Sequence, residues 1–311
     1  MSFMRFLAAA RRIRSAFGAK KTRFFVVKYL QFYPWSARWL DAIDAYCRLY
    51  TGEAPPVEML RTKFLRSYYD RRTGPRRRLD LLRGHYDLEA ALLTPAAIAA
   101  LMRGEILPLA RVADKAGRGY DFTLARHERY RAEGEMTLFM QAGDMDAPLA
   151  ALTFHLGHDR DGRRIARIGG LQGPAGEDAK QRVIAATRAL HGLRPKSAAL
   201  HALAALAGAL GAEGFEAVAD ARHPLRNDRH AFVAHNDAFW QENEGTRLPD
   251  GAFRLPLRRA DARAAEDIPA KKRKDWLARQ ALKQDLSDQI RAAAAAWLAE
   301  PAAVTDMPRA A

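Results

Sequence analysis

Between Arg163 and Asp220 the chain reads as a strand, a glycine-rich loop, two helices and a second strand. RIARIGGLQG is apolar enough to lie inside a sheet, and the glycines near its end release the chain into a turn. Asp178 supplies an N-cap for the helix beyond, and Gln181, three residues on, completes a capping-box pattern. Val183, Ile184, Thr187 and Leu190 form that helix's inner stripe. Gly192 and the Arg194-Pro195 step end it, because a residue before proline is pushed out of the α region. A second helix over residues 196–210 ends at Gly211 and Gly214, and FEAVAD returns as a short buried strand. A strand that closes in a glycine loop and opens a helix leaves backbone N–H groups where an anion can sit. The stretch restricts architecture more than reaction.

The flanking sequence sets the rest of the fold. YDFTLARHERYRAEGEMTLFMQ and APLAALTFHLG alternate in places as half-buried strands do, and Asp161-Gly162 suits a hairpin. Residues 119–173 therefore predict an antiparallel meander. Upstream, Gly74-Pro75 is a turn, and RRRLDLLRGHYDLEAALL is an amphipathic helix with Leu79, Leu82, Tyr86 and Leu93 on one side. Residues 95–113, rich in Ala and Leu, predict another helix. Downstream come a helix near AHNDAFWQENEG, a strand GAFRLPLR and a basic helix from Lys272 to Ala299. The expected fold is α+β. A basic amphipathic segment (1–28) and a helical region (29–118) precede an α+β domain (119–299) with a mixed, largely antiparallel sheet and flanking helices, and a loose tail (300–311) follows.

Charge narrows the partners. The 311 residues carry a formal net charge of +15, which favours an anionic membrane surface, a phosphorylated small molecule or nucleic acid, unless it reflects genome composition alone. Arg5, Arg11, Arg12, Arg14, Lys20, Lys21, Arg23, Lys28 and Arg38 precede the first acid, Asp41, and alternate with Phe3, Phe6, Ile13, Phe17, Phe24, Phe25 and Tyr29. Such a helix either lies on an anionic bilayer or packs its aromatic face on the body. A second basic block, Arg61 to Arg83, is either a phosphate-binding turn or a solvated face. Nucleic acid ranks last, because no recognised module accompanies the arginines. The single cysteine, Cys47, excludes a disulfide framework and reads as a small buried residue. With no secretory signal and no run approaching the length of a membrane span, the expected location is cytoplasmic, with a peripheral place on the inner membrane as the alternative.

The order meander, strand, glycine loop, helix, strand resembles the acyl-CoA-binding core of GNAT-like acyltransferases. The resemblance implies a pyrophosphate held by the backbone of Gln172, Gly173 and Gly176, with Lys180 and Arg182 as nearby charges. The loop departs from the usual pattern: Gly169-Gly170 precede Gln172, Pro174 removes one donor, and two helices replace one. Glu133 and Glu135, two apart in AEGEM, would share one strand face, where burial could make either a general base; otherwise they are an exposed pair facing basic residues. His191, Arg194 and Lys196 cluster in HGLRPK, either as functional groups or as caps on helix carbonyls. His191 joins the two glutamates as a catalytic candidate, and Arg194, Lys196 and His223 are the substrate-binding candidates. His155 reads as a core or rim histidine. His223, His230 and His235 stand near Asp220, Asp228 and Asp237 in a spacing that fits no zinc motif, so no metal is expected. The chain has no P-loop, GxSxG elbow, HExxH or dinucleotide fingerprint.

RRRLDLLRGHYDLE, AEGEMTLFM, IGGLQGP, TRALHGLRPK, DAFWQENEG, FRLPL and KKRKDWLARQALKQDL occur in an order that identifies the chain as resembling the VirK/YbjX family, the DUF535 domain, over residues 30–295. Asn236-Asp237 replaces the family's Tyr-Asp before its FW motif, and HPLRNDRHAF keeps the histidine and the basic character of its segment. The resemblance implies a bacterial protein linked to virulence, envelope integrity and resistance to cationic antimicrobial peptides, and it transfers no catalytic residue. Three rival functions follow: an acyltransferase on an envelope or small-molecule substrate, a non-enzymatic peripheral membrane factor, and a nucleic-acid binder.

Overall fold

The computed structural model describes residues 3–52, 58–143, 147–226, 235–257 and 265–299. The first helix, α1 (Phe3–Gln31), is broken at Gly18, whose φ of 79° lies in the left-handed region. The break lets the second half fold back on the first. Phe6 packs 5.8 Å from Phe25 and 4.6 Å from Tyr29, between ring centroids. Ile13, Phe25 and Tyr29 are buried, so the aromatic face packs inward. Val27, Leu30 and Tyr33 remain exposed, at 54, 63 and 62%.

Helices α2 (Trp35–Thr51), α3 (Glu58–Lys63), α4 (Pro75–Leu92) and α5 (Pro95–Met102) complete the helical region. Pro75 occupies the first position of α4, where its missing N–H costs nothing. The apolar stripe of α4 buries Leu79, Leu82 and Tyr86 as expected, and with them His85 and Glu89. Residues 107–113 depart from the predicted helix. Gly104, at φ 76°, turns the chain after α5, and β1 (Leu107–Ala113) pairs antiparallel with β2 (Gly119–Ala125), burying Leu109 and Val112. Local composition favoured helix there; the free edge of β2 decides otherwise.

Among the described residues the sheet has eight strands in the order β1-β2-β3-β4-β5-β6-β8-β7, adding β3 (Met136–Ala142), β4 (Ala150–His158), β5 (Arg164–Gln172), β6 (Gly214–Ala217), β7 (Thr246–Arg247) and β8 (Phe253–Pro256). Every pairing is antiparallel except β5 with β6, which are joined through α6 (Ala179–Ala189) and α7 (Pro195–Ala209). Helices α4 and α7 both pack against β4, and all its residues but His158 are buried. Helix α8 (Asn236–Glu242) follows β6, and α9 (Ala270–Ala295) packs on α7 and β1. This is the helical N-terminal region and mixed, largely antiparallel sheet with flanking helices that the sequence predicts.

Two features of the β5 crossover matter for the site. Pairing of β5 with β6 ends at Ile168–Ala217, extended only by Val218 N–H donating to Ile168 O at 2.9 Å. The last four residues of β5 have no β6 partner, because β6 ends at Ala217. Asp178 does sit at the N-cap of α6, but its side chain makes no capping bond and pairs instead with Arg182 at 3.3 Å. The inner stripe also differs from the predicted one: Ala186 and Leu190 are buried, whereas Ile184 is 40% exposed. The residues around His230 and Asp228, and the tail 300–311, lie outside the described residues.

Candidate functional site

Gly169 and Gly170 of IGGLQG exist to admit AEGE. Glu133 lies in the turn before β3, its N–H donating to Tyr130 O at 2.8 Å. A Cβ on Gly169 would fall 1.8 Å from the Glu133 carbonyl oxygen, and one on Gly134 would fall 2.5 Å from Phe154 O. The turn is thus pressed onto β4 and β5, where Gly169 forms a bulge between the pairs Thr153–Gly170 and Phe154–Ile168. The Glu133 carboxylate lies over Gly170. Its Oε1 accepts from Gln172 Nε2 at 3.0 Å, and His223 Nε2 stands 3.5 Å away. His223 Nδ1 accepts from Leu225 N–H at 3.3 Å, which leaves Nε2 facing the carboxylate. Both side chains are 1% exposed, and among the described residues Glu133 Oε2 has no hydrogen-bond partner.

Glu135 does not share a face with Glu133, nor are the two an exposed pair. Its carboxylate turns towards the helical region, 2.8 Å from Lys63 Nζ and 3.2 Å from Arg126 Nη1, and accepts from the Tyr86 hydroxyl at 2.8 Å. Arg126 also grips both Glu89 oxygens at 2.5 Å, and the Tyr46 hydroxyl donates to Glu89 at 2.6 Å. Burial opposes both charges, but Lys63, His85 and Arg126 together hold Glu135 below the usual carboxylate range. Against the same burial, Arg126, His85 and Tyr46 bring Glu89 down to about 2. This network keeps charged groups in the core by pairing them. Behind it, His155 packs on the rings of Tyr68 and Tyr69, and burial, reinforced by Arg167, keeps it neutral.

The loop after β5 leads out from Glu133. Gly176 takes φ 102°, and Lys196 Cε lies 3.9 Å from where a Gly173 Cβ would be. Lys196 donates to Asn236 Oδ1 at 3.2 Å, and burial lowers its pKa. Asn236 is fixed by Asp220, whose carboxylate accepts from the backbone of Asn236 (3.1 Å) and Asp237 (3.2 Å). Lys180 is exposed on the first turn of α6. Arg182 is folded onto its own loop, bonded to Ala175 O and paired with Asp178, which stiffens the loop and occupies the guanidinium.

The structure therefore brings Glu133, Gln172 and His223 together, with Lys196 beside Gly173. His191, Arg194 and Lys196, adjacent in sequence, diverge. His191, at φ 54°, meets Asp275 at 3.1 Å, whereas Arg194 meets Glu242 at 2.5 Å. Sequence reasoning missed Asn236 and the Lys63–Arg126–Glu89 network. Glu89 did carry a signal: it lies three residues after Tyr86 and seven after Leu82, a charge on an apolar stripe. Cys47 is buried, and burial pushes its thiol up to about 12. Among the described residues no group of three or more His, Cys, Asp or Glu side chains could hold a metal ion. No helix among them is long and apolar enough to cross a membrane.

Comparison with known proteins agrees with the motif order. The model of a family described as a protein of unknown function, DUF535, matches residues 15–292. Escherichia coli YbjX is 30% identical over 217 residues, 68% of this chain and 65% of YbjX. A Haemophilus influenzae protein is 34% identical over 108 residues, 34% of this chain and 36% of that protein. The aligned parts thus span less than two thirds of either relative. Among solved structures, a cAMP-binding acyltransferase from Mycobacterium smegmatis matches in two mutant forms. The identities are 12 and 13% and the TM-scores 0.31 and 0.30, covering 72% of this chain and 63 and 62% of theirs. With the family model matching most of its length and its motifs in order, the chain belongs to the VirK/YbjX (DUF535) family.

Proposed function

We propose that this protein is an acyl-CoA-dependent acyltransferase of GNAT-like fold whose site lies at the end of β5, beyond its pairing with β6. The reading rests on the glycine loop and α6 N-terminus, which lead along Gln172 to a buried carboxylate oxygen with no partner among the described residues. The donor set suits a pyrophosphate. Gly173 and Gly176 offer backbone approach, Lys180 an exposed cation and Lys196 a partly desolvated one. Arg182 serves by bracing the loop. Bound acyl-CoA would supply the activated acyl group: the acceptor's nitrogen or oxygen would bond to the acyl carbon as its bond to sulfur breaks, and CoA would leave as a thiolate that takes up the proton Glu133 removes from the acceptor. Glu133 would take the proton of the acceptor's amine or hydroxyl at Oε2, while Gln172 and His223 hold Oε1 in place. Glu135 would stay an ionised part of the scaffold, and Arg194 and His191 would face a separate groove.

Thermal melting of the full chain against acetyl-CoA and longer acyl-CoAs tests this. A ligand that binds only the folded state raises the midpoint, by about 2.7 kcal/mol of stabilisation at about a hundredfold excess over its dissociation constant. A saturable rise that weakens in Lys180→Glu is expected. The absence of a rise with every acyl-CoA would leave the loop a structural turn.

A second reading rests on α1. Lys20, Arg23, Val27 and Leu30 recur at helical spacing on one exposed face, with Tyr33 beyond them. This mixed basic and apolar face suits peripheral contact with an anionic bilayer. Sedimentation with phosphatidylglycerol vesicles, reduced by Leu30→Glu and by salt, is the expected result. Equal sedimentation of the variant would remove the face from the account. Such contact is compatible with an enzyme acting on an envelope substrate, the role the family resemblance suggests.

A further inference from the structure

A cavity of about 1710 Å³ lies away from Glu133, between α7, α9 and the end strands β6 and β8. Its floor is apolar. Phe215 and Leu255 project from the sheet, Leu200 and Ala204 from α7, and Leu257 and Ile268 close the end. The floor is deep because α7 is built of small residues there. Ala204, Gly208 and Ala209 line this side, and Leu257 Cδ2 lies 3.4 Å from where a Gly208 Cβ would be. Its rim is basic: Lys115, Arg188, Arg194, Lys271, Lys272 and Arg279 surround it, against two acids, Glu244 and Asp275. Asp275 is already engaged, at 2.8 Å from Lys115 and 3.1 Å from His191. Among the described residues no carboxylate pairs with Lys271 or Lys272. Trp276, half-buried, stands between rim and floor, where an amphipathic ring is at home.

We propose that this groove binds one molecule of a phosphorylated lipid, its acyl chains on the Leu200–Ala204–Phe215 floor and its phosphate on Lys271, Lys272 and Arg279. Three features exclude the alternatives. The volume is well above the roughly 300–1,000 Å³ of ordinary small-molecule sites. A compact phosphorylated metabolite would leave the apolar floor wet. A nucleic-acid strand would need successive aromatic platforms, and Trp276 and the 2%-exposed Phe215 are the only Phe, Tyr or Trp residues among the described lining. An amphiphile with an anionic head satisfies rim and floor together. The assignment does not depend on the acyl-transfer reading, because none of these groups belongs to the Glu133 site.

The test uses the full chain and dioctanoyl phosphatidylglycerol below its micelle concentration, followed by calorimetry and tryptophan fluorescence. Dioctanoyl phosphatidylcholine and inorganic phosphate serve as controls. Saturable one-to-one binding of the anionic lipid is expected, with weaker binding of the zwitterionic lipid. Lys272→Glu, at an exposed position, should weaken binding on the order of tenfold or more, the loss of one charge-assisted contact. Ala204→Trp should block it by filling the floor, and Leu30→Glu should leave it unchanged. Binding that survives both groove variants, or that Leu30→Glu abolishes, would overturn the proposal in favour of the α1 face. Inorganic phosphate binding as tightly as the lipid would overturn it in favour of a phosphate site, and no binding would overturn it outright. None of these results bears on acyl-CoA.

Discussion

A Cβ placed on Gly170 would lie 1.9 Å from Glu133 Oε2. Neither Gly170 nor Gly169 has a positive φ, so these glycines serve close approach rather than a special backbone conformation. Gly170→Ala must push the carboxylate away from Gln172 and His223. A cost of about 1–3 kcal/mol is expected from overpacking, read as a lower urea midpoint. Loss of acyl-CoA thioester cleavage should exceed what that destabilisation explains. An unchanged midpoint and rate would mean that Glu133 is free to move.

Glu133→Gln keeps the shape and removes the base. Thiol release from acetyl-CoA and palmitoyl-CoA should fall by about 10²–10⁴-fold, while the melting shift on acyl-CoA binding persists. Full activity in this variant would assign the proton transfer elsewhere.

Glu135→Gln should behave differently. It strips the partner from Lys63 and Arg126 inside the core, and breaking a buried pair costs about 3–5 kcal/mol. The variant is expected to be poorly folded in chemical denaturation, and its residual folded fraction should still bind acyl-CoA. A stable but inactive Glu135→Gln would reverse the roles of the two glutamates.

Acid should expose the same network. Glu89 titrates at about 2 when folded against an ordinary 4.5. Its contribution is therefore complete above the unfolded value and is lost as pH falls from about 4.5 towards 2. That loss is about 3 kcal/mol for Glu89 alone. Glu135, also depressed, adds in the same direction. Urea midpoints should hold near neutrality and drop through this window. Glu89→Gln should start lower at pH 7 and lose less on acidification. A variant with the parent's acid dependence would exclude Glu89 as the titrating group.

The motif order, the meander and the strand–loop–helix step were all legible because each is a local pattern read by periodicity and turn chemistry. Residues 107–113 were not, because a short Ala- and Leu-rich run is settled by whether a strand edge waits for it. Glu133 and Gly170 stood out separately, but their contact depends on a β-bulge and on residues 37 positions apart. The pairing of Arg182 with Asp178 consumed two groups that sequence alone offered to a ligand and a helix cap. Lys63, Glu89, Arg126 and Glu135 come from four separate segments, and only the charge on the α4 stripe hinted at them.

Acyl-CoA held by the loop after β5 should shield that loop's amides, which amide hydrogen exchange of the full chain, with and without acyl-CoA, reads out. Slowed exchange confined to residues 172–181 and the start of α7 around Lys196 is expected. Unchanged exchange there, or protection appearing only along the α7–α9 groove, would contradict it.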